Sequence, residues 1–257
     1  MTWLEVVALL VAAVAGGALN SVAGGGSFLT FPTLLLTGVA PIQANATSTV
    51  ALWPGSLMSV AAYRRELQGR SGMLLLGAVS LAGGLVGAVL LLRTPQSTFV
   101  RLVPYLLLLA TLLFTFGGRL TRLLRARLNT HLAGMSAPPW VAIAGVAVLQ
   151  LVIATYGGYF GGGIGILMLA SLALLGMDNI HTMNALKTLM ASCINGVAVV
   201  TFVVAGAVAW PQALLMVAGA MAGGYGGAHF ARQLDPLRVR RLVISVGFLL
   251  TIYFFVR

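Results

Sequence analysis

The stretch NSVAGGGSFLTFPTLLL at residues 20–36 decides how this chain folds. Its three consecutive glycines interrupt an apolar run, and glycine is a poor helix former. The ten residues that follow, 27–36, would make a helix of only about 15 Å, which is half the thickness of a bilayer's hydrocarbon core. The stretch therefore predicts a broken or re-entrant helix that restarts near the middle of a membrane. Close packing of membrane helices on small residues is the alternative explanation of the glycines.

The whole chain is as apolar as this stretch. Of its 257 residues, 60% are hydrophobic and 7% are charged, and the mean hydropathy is +1.02. A typical globular chain has about 25% charged residues, so there is too little polar surface here to enclose a water-soluble core. The composition argues against a cytosolic enzyme, a nucleic-acid binder and a secreted disulfide scaffold. It predicts an all-α polytopic membrane protein in contact with the lipid bilayer.

The glycine run belongs to an internal repeat whose offset drifts only from 137 to 140 residues. The repeated elements are Gly24–Gly26 with Gly161–Gly163, Asn45-Ala46 and Thr49 with Asn184-Ala185 and Thr188, and Arg101–Val103 with Arg241–Val243. They predict two transmembrane repeats, 1–118 and 138–257, joined by a basic cytoplasmic linker at 119–137. Each repeat has about five segments: 3–20, 27–36, 42–63, 72–92 and 98–116, then 140–156, 164–175, 180–204, 211–231 and 237–256.

The arginines predict the topology. The net charge is +11, and the basic residues cluster in short breaks at 64–70, 119–127 and 232–241. Short basic loops face the cytoplasm, so this placement favours a membrane topology over a nucleic-acid partner. Equivalent loops of the two repeats then lie on opposite sides, with both termini and the 206–210 loop outside. Such an inverted-topology repeat is typical of secondary transporters, although Arg93 falls in a loop expected to be external.

Lys187 is the only lysine and lies inside the segment 180–204. An ionisable group within a membrane is costly and marks a functional site by default, the alternative being a lysine that snorkels to the interface. Helical spacing puts it on a polar stripe, and the matching segment 42–63 carries a second stripe. These stripes, predicted to be the walls of one pathway or else only interhelical contacts, are Asn184, Lys187, Ala191 and Asn195, and Asn45, Ser48, Ser56 and Ser59.

The distribution of acidic residues favours an anion as the ligand. The four acids are Glu5, Glu66, Asp178 and Asp235; none is placed at mid-membrane, and Asp178 is positioned to cap the segment 180–204. One lysine and two helix N-termini would instead bind an anion. The histidines and the single cysteine give no metal signature, and we predict no cofactor and no catalytic residue. The candidate substrate-binding residues are Gly25, Gly26, Ser27, Asn45, Ser48, Thr49, Gly162, Gly163, Asn184, Lys187 and Thr188.

The chain resembles the sulfite exporter TauE/SafE family of bacterial membrane transporters over nearly its whole length. The resemblance rests on the first glycine run with Ser27 and Pro32, on residues 44–48, and on the second glycine run with residues 184–187. It implies a multi-pass protein of the bacterial inner membrane that moves sulfite, organosulfonates or similar small anions. The hypothesis is a secondary transporter that works by alternating access. A passive anion channel, or a membrane-embedded enzyme or assembly subunit, is the alternative.

Overall fold

A computed structural model describes residues 1–22, 25–64, 67, 73–132, 139–174, 177, 179–230 and 236–256. Within these ranges the chain forms ten α-helices and no strand, so the all-α prediction is confirmed. The helices are α1 (Trp3–Val22), α2 (Ser27–Leu36), α3 (Pro41–Ala62), α4 (Met73–Arg93), α5 (Gln96–Leu132), α6 (Pro139–Tyr159), α7 (Ile164–Leu174), α8 (Ile180–Val204), α9 (Trp210–Phe230) and α10 (Pro236–Val256).

The predicted segments match these helices to within a few residues, with one exception. Helix α5 continues past residue 116, where its apolar part ends, to Leu132. The added residues are mainly leucine and arginine, which are both good helix formers. The stretch predicted as the start of a linker is therefore helical up to residue 132.

Apolar surface covers the outside of the molecule. In the described residues, four helices, α1, α4, α5 and α8, contain windows long and apolar enough to cross a membrane, and four shorter apolar helical stretches lie in α2, α6, α7 and α10. Large apolar side chains are open on the outer surface, with Leu74 85% and Val256 83% exposed. Exposed apolar surface on this scale fits contact with lipid rather than water.

The helices of the two halves pack against each other in matched pairs. Helix α1 packs most extensively on α9, and its counterpart α6 packs on α4. Similarly, α3 packs on α9 and α8 packs on α4, while α3 meets α8 and α5 meets α10. When each helix of the first half is replaced by its equivalent in the second half, and the reverse, the same set of contacts results.

Glycines bring these matched pairs close together. A Cβ added to Gly83 of α4 would lie 2.8 Å from the carbonyl oxygen of Leu151 in α6. At the equivalent place in the other half, a Cβ on Gly223 of α9 would collide with the carbonyl oxygen of Val14 in α1. Small residues at both crossings therefore allow the backbones to approach.

Polar residues cap two of the helices. Thr2 and Glu5 form a reciprocal capping box at the start of α1, in which each backbone N–H donates to the other side chain. At α8, the Thr182 N–H donates to Asn179 Oδ1 over 3.2 Å. Asp178, predicted as this cap, lies outside the described residues.

Candidate functional site

A cavity of about 50 Å³ lies between α1, α2, α3, α7 and α8. By the same measure one water needs about 10–15 Å³, so the space is large enough for several waters or a small ion. The lining residues are Gly17, Asn20, Ser27, Thr49, Leu52, Gly55, Ser56, Ser59, Gly161, Ile164, Gly165, Lys187, Thr188, Ala191 and Asn195.

Positions that are equivalent in the sequence repeat line this cavity in pairs. With the offset that aligns Asn45 with Asn184, these pairs are Thr49 and Thr188, Leu52 and Ala191, and Ser56 and Asn195. With the offset of the glycine runs, Ser27 also pairs with Ile164. The cavity therefore lies where the two halves meet, with α3 on one side and α8 on the other.

The first residues of two short helices border the cavity. Ser27 begins α2 and Ile164 begins α7, and both are among the lining residues. The N-terminus of a helix carries a partial positive charge and favours a negative ligand. The cavity is therefore bordered by two positive helix ends, one from each half.

The glycine runs before these two helices differ in conformation. In the second run, Gly161 and Gly163 have φ angles of +78° and +77°, in the left-handed region that favours glycine. The Tyr156 hydroxyl donates to the carbonyl oxygen of Gly162 over 2.7 Å. In the first run, Gly26 has an ordinary helical φ of −56°, but a Cβ there would collide with the carbonyl oxygen of Gly16. In the first run, glycine is therefore needed because a side chain at Gly26 would meet the backbone of Gly16. In the second run, glycine is needed because the backbone has positive φ angles.

Lys187 is the one charged side chain among the lining residues, and it is 5% exposed. None of the residues that the structure describes forms a hydrogen bond or an ion pair with it. A buried charge without a partner is costly. An ammonium at this position therefore has no compensating partner in the described chain, so a negative ligand would stabilise it.

The hydroxyl groups of α3 already donate their protons to the helix backbone. Thr49 donates to the carbonyl oxygen of Asn45 over 2.9 Å, and Ser59 donates to that of Gly55 over 3.0 Å. Ser56 donates to the carbonyl oxygen of Leu52 over 3.4 Å. A hydroxyl has one proton and two lone pairs, so these side chains retain only the capacity to accept.

The cavity includes only part of the predicted site. Of the eleven candidates, Ser27, Thr49, Lys187 and Thr188 line it, as do the predicted stripe residues Ser56, Ser59, Ala191 and Asn195. The candidates that do not line it are Gly25, Gly26, Asn45, Ser48, Gly162, Gly163 and Asn184.

Two of these candidates bind other parts of the protein. Asn45 Nδ2 donates to the carbonyl oxygen of Tyr159 over 3.0 Å. The buried Ser48 hydroxyl lies 2.6 Å from the hydroxyl of Thr30. Both side chains therefore hold α3 against neighbouring parts of the protein and do not line the cavity.

Other lining residues come from positions that sequence reasoning missed. The clearest is Asn20, whose Nδ2 donates to Ser56 Oγ over 3.3 Å. Its polar side chain near the end of an apolar segment is a feature from which a role in the site could have been predicted. The remaining missed residues, Gly17, Leu52, Gly55, Gly161, Ile164 and Gly165, are apolar or glycine and carry no such signal.

No metal site occurs in the part of the chain that the structure describes. There, no group of three or more His, Cys, Asp or Glu side chains lies close enough together to hold a metal ion. The chemistry available at the cavity is therefore that of one ammonium, hydroxyl and amide groups, and two helix ends.

Known proteins with similar sequences are named as probable membrane transporters. The model of the family described as "Sulfite exporter TauE/SafE" matches residues 8–254. A "probable membrane transporter protein" of Haemophilus influenzae is 27% identical over 91% of this chain and 88% of its own. Similar proteins in Sinorhizobium sp. ("ORF9") and Escherichia coli K12 ("YfcA") are 28% and 26% identical, over 95% and 93% of this chain and 90% and 85% of their own. No solved structure matches.

Proposed function

Because the chain belongs to the sulfite exporter TauE/SafE family of membrane transporters, we propose that it is a secondary transporter for a small anion. Membership of this family implies a multi-pass bacterial membrane protein with a small-molecule substrate. The proposed substrate is sulfite, an organosulfonate or a similar sulfur-containing or carboxylate anion. The proposed location is the inner membrane, and the proposed activity is transport without catalysis.

The observation that carries the anion proposal is the surroundings of Lys187. This unpartnered, buried ammonium borders the same cavity as the first residues of α2 and α7. A fixed charge and two positive helix ends both favour a negative ligand. Glu5, the one acid among the described residues, is at the start of α1 and is engaged in its capping box.

The matched helix contacts support a mechanism of alternating access. We propose that residues 1–118 and 138–257 are inverted repeats joined by 119–137, and that α2 and α7 are half-helices beginning near the middle of the membrane. In transporters of this kind, the substrate site lies between the repeats at the bilayer midplane. Rocking of one repeat against the other would then open the cavity to either side in turn.

Flux measurements in proteoliposomes test this function against its alternatives. Labelled sulfite should enter vesicles containing the purified chain with saturable kinetics, and unlabelled sulfite on the other side should accelerate its entry by counterflow. Empty vesicles provide the control. Flux that does not saturate would indicate a channel instead. If sulfite, thiosulfate, sulfoacetate and simple carboxylates all failed to move, the transport proposal would be wrong.

A further inference from the structure

We infer that the cavity selects singly charged anions that bring a hydrogen-bond donor of their own. The acceptors for that donor are the hydroxyl oxygens of Thr49, Ser56 and Ser59, here called the α3 wall. Thr49 and Ser59 are the main ones, because Ser56 Oγ already accepts from Asn20 Nδ2 and has one lone pair left. This inference rests on the proposed anion function and adds the charge and protonation state of the substrate. It also makes these three hydroxyls determinants of specificity rather than general polar lining.

The charge requirement follows from Lys187. It contributes one positive charge, and no other lining side chain is charged. A monoanion would leave the occupied cavity neutral, whereas a dianion would leave an uncompensated negative charge in a buried site. Burying such a charge is costly because water no longer solvates it. The two helix ends contribute only partial charges, so they offset little of that cost.

The donor requirement follows from the difference between the two sides of the cavity. On the α8 side, Lys187 provides donors only, and neither the Thr188 hydroxyl nor the Asn195 amide group has a hydrogen-bond partner among the described residues. On the α3 side, Thr49, Ser56 and Ser59 donate their protons to backbone carbonyl oxygens one turn earlier.

An anion whose surface carries only acceptors would therefore place its lone pairs against those of the α3 wall. A ligand with one O–H or N–H could bind both sides at once, with its oxyanion end towards Lys187 and its donor towards the α3 wall. Because a site that expects a hydrogen bond rejects an analogue that cannot make it, the α3 wall would discriminate between ligands of equal size and charge.

Methylphosphonate and methanesulfonate form a matched pair of probes for this inference. At about pH 6 methylphosphonate is largely a monoanion with one P–OH donor, and by about pH 9 it is a dianion without one. Methanesulfonate has a similar shape but remains a monoanion without a donor at both values. Binding of each probe to the purified full chain is measured by calorimetry, and methanesulfonate controls for any effect of pH on the protein itself.

At the lower pH we expect methylphosphonate to bind about fivefold more tightly than methanesulfonate, the size of effect expected for one hydrogen bond. At the higher pH its affinity should fall at least about tenfold more than that of methanesulfonate. Thr49→Val and Ser59→Ala should remove the preference at the lower pH, so that each variant binds methylphosphonate and methanesulfonate with equal affinity.

Thr201→Val provides the matched control variant, because Thr201 makes the same bond to a carbonyl oxygen one turn earlier but does not line the cavity. It should retain the full preference. Equal binding of the two probes to the wild-type protein, or a preference that survives both α3 variants, would overturn the inference and leave anion transport intact. If neither probe binds, the inference is also wrong, and the flux assay decides separately whether anion transport survives.

Discussion

Helices α3 and α8 occupy equivalent places in the two halves, yet the offset that aligns Thr49 with Thr188 also aligns Ser48 with Lys187. The two threonines line the cavity together. Ser48 instead turns away and contacts the hydroxyl of Thr30, while Lys187 borders the cavity without a partner in the described chain. Matched positions of α3 and α8 thus form the shape of the cavity, whereas the single unmatched position, Lys187, carries its charge.

Labelling of introduced cysteines tests the proposed topology of the two halves. Each cysteine is expected either to react fully or not to react. In a Cys193→Ala background, Thr2→Cys and Ala205→Cys should react with a membrane-impermeant thiol reagent added to intact cells, whereas Ala126→Cys should not. The reason is that the arginine-rich stretch around Ala126 should face the cytoplasm. Lysed cells, in which all three cysteines should react, are the control. Labelling of Ala126→Cys from outside would overturn the assignment of the linker to the cytoplasm.

Lys187→Met tests whether the unmatched position provides the charge, and it has the largest expected effect on binding. Substrate affinity and uptake should fall by about 100-fold or more, because the partner of a buried charge is removed. The apo protein should unfold at the same or a higher temperature, since a lone ammonium in mid-membrane costs about 2.5–3.5 kcal/mol. Substrate binding by calorimetry and thermal unfolding measure the two effects.

Lys187→Arg is the control for charge, and it should restore transport only in part because a planar fork replaces a compact ammonium. The alternative explanation, a lysine that snorkels to the interface, expects Met, Gln and Arg variants to transport normally. Uptake near the wild-type level by a well-expressed Lys187→Met protein would therefore remove this residue from the site.

The matched contacts of α4 with α6 and of α9 with α1 can be tested by adding one methyl group at a glycine in each contact. Gly83→Ala and Gly223→Ala should each lower the free energy of unfolding by about 1–3 kcal/mol, because the new Cβ meets a neighbouring backbone. Gly77→Ala is the control, since nothing lies within 4 Å of its added Cβ. It should be neutral or slightly stabilising. Thermal unfolding compares the three variants, and a loss of stability at only one of Gly83 and Gly223 would contradict the matched packing.

The two glycine runs also differ in a hydrogen bond that holds only the second of them. Tyr156 donates to Gly162, whereas the equivalent position in the first half is Leu19, which has no hydroxyl. Tyr156→Phe should therefore lower stability by about 1 kcal/mol, which corresponds to a drop of about 2–4 °C in the unfolding temperature. Tyr225→Phe, at a side chain that is 80% exposed, should change nothing and serves as the control. No change in the Tyr156 variant would show that this bond does not hold the second run.

The helices could be predicted from the sequence more fully than the cavity. Apolar runs end at glycines, prolines and arginines, so nine of the ten helix ranges follow from those breaks. Only α5 extends well beyond its apolar part, because arginine and leucine continue a helix after hydrophobicity has ended. Local sequence signals therefore determine where these helices lie along the chain.

The cavity depends on how the helices are rotated and crossed, which local sequence does not specify. Helical spacing placed Lys187 on one stripe with Ala191 and Asn195, which also line the cavity, but it included Asn184, which does not. Asn20 was missed because its role depends on α1 crossing α3 beside Ser56. Periodicity identifies a face of a helix, while tertiary packing selects which part of that face meets the open space.

The contact between Trp53 and Ser192 joins α3 to α8 through an indole Nε1–H that donates to the Ser192 carbonyl oxygen over 3.1 Å. By the offset of 139 residues between Asn45 and Asn184, Trp53 and Ser192 occupy equivalent positions of the sequence repeat. In an assembly of two identical polypeptides, a residue on the symmetry axis must meet itself, so tryptophan would face tryptophan or serine would face serine. Because the two equivalent positions belong to one chain and carry different residues, that restriction does not apply here, and the large ring of Trp53 contacts a small partner.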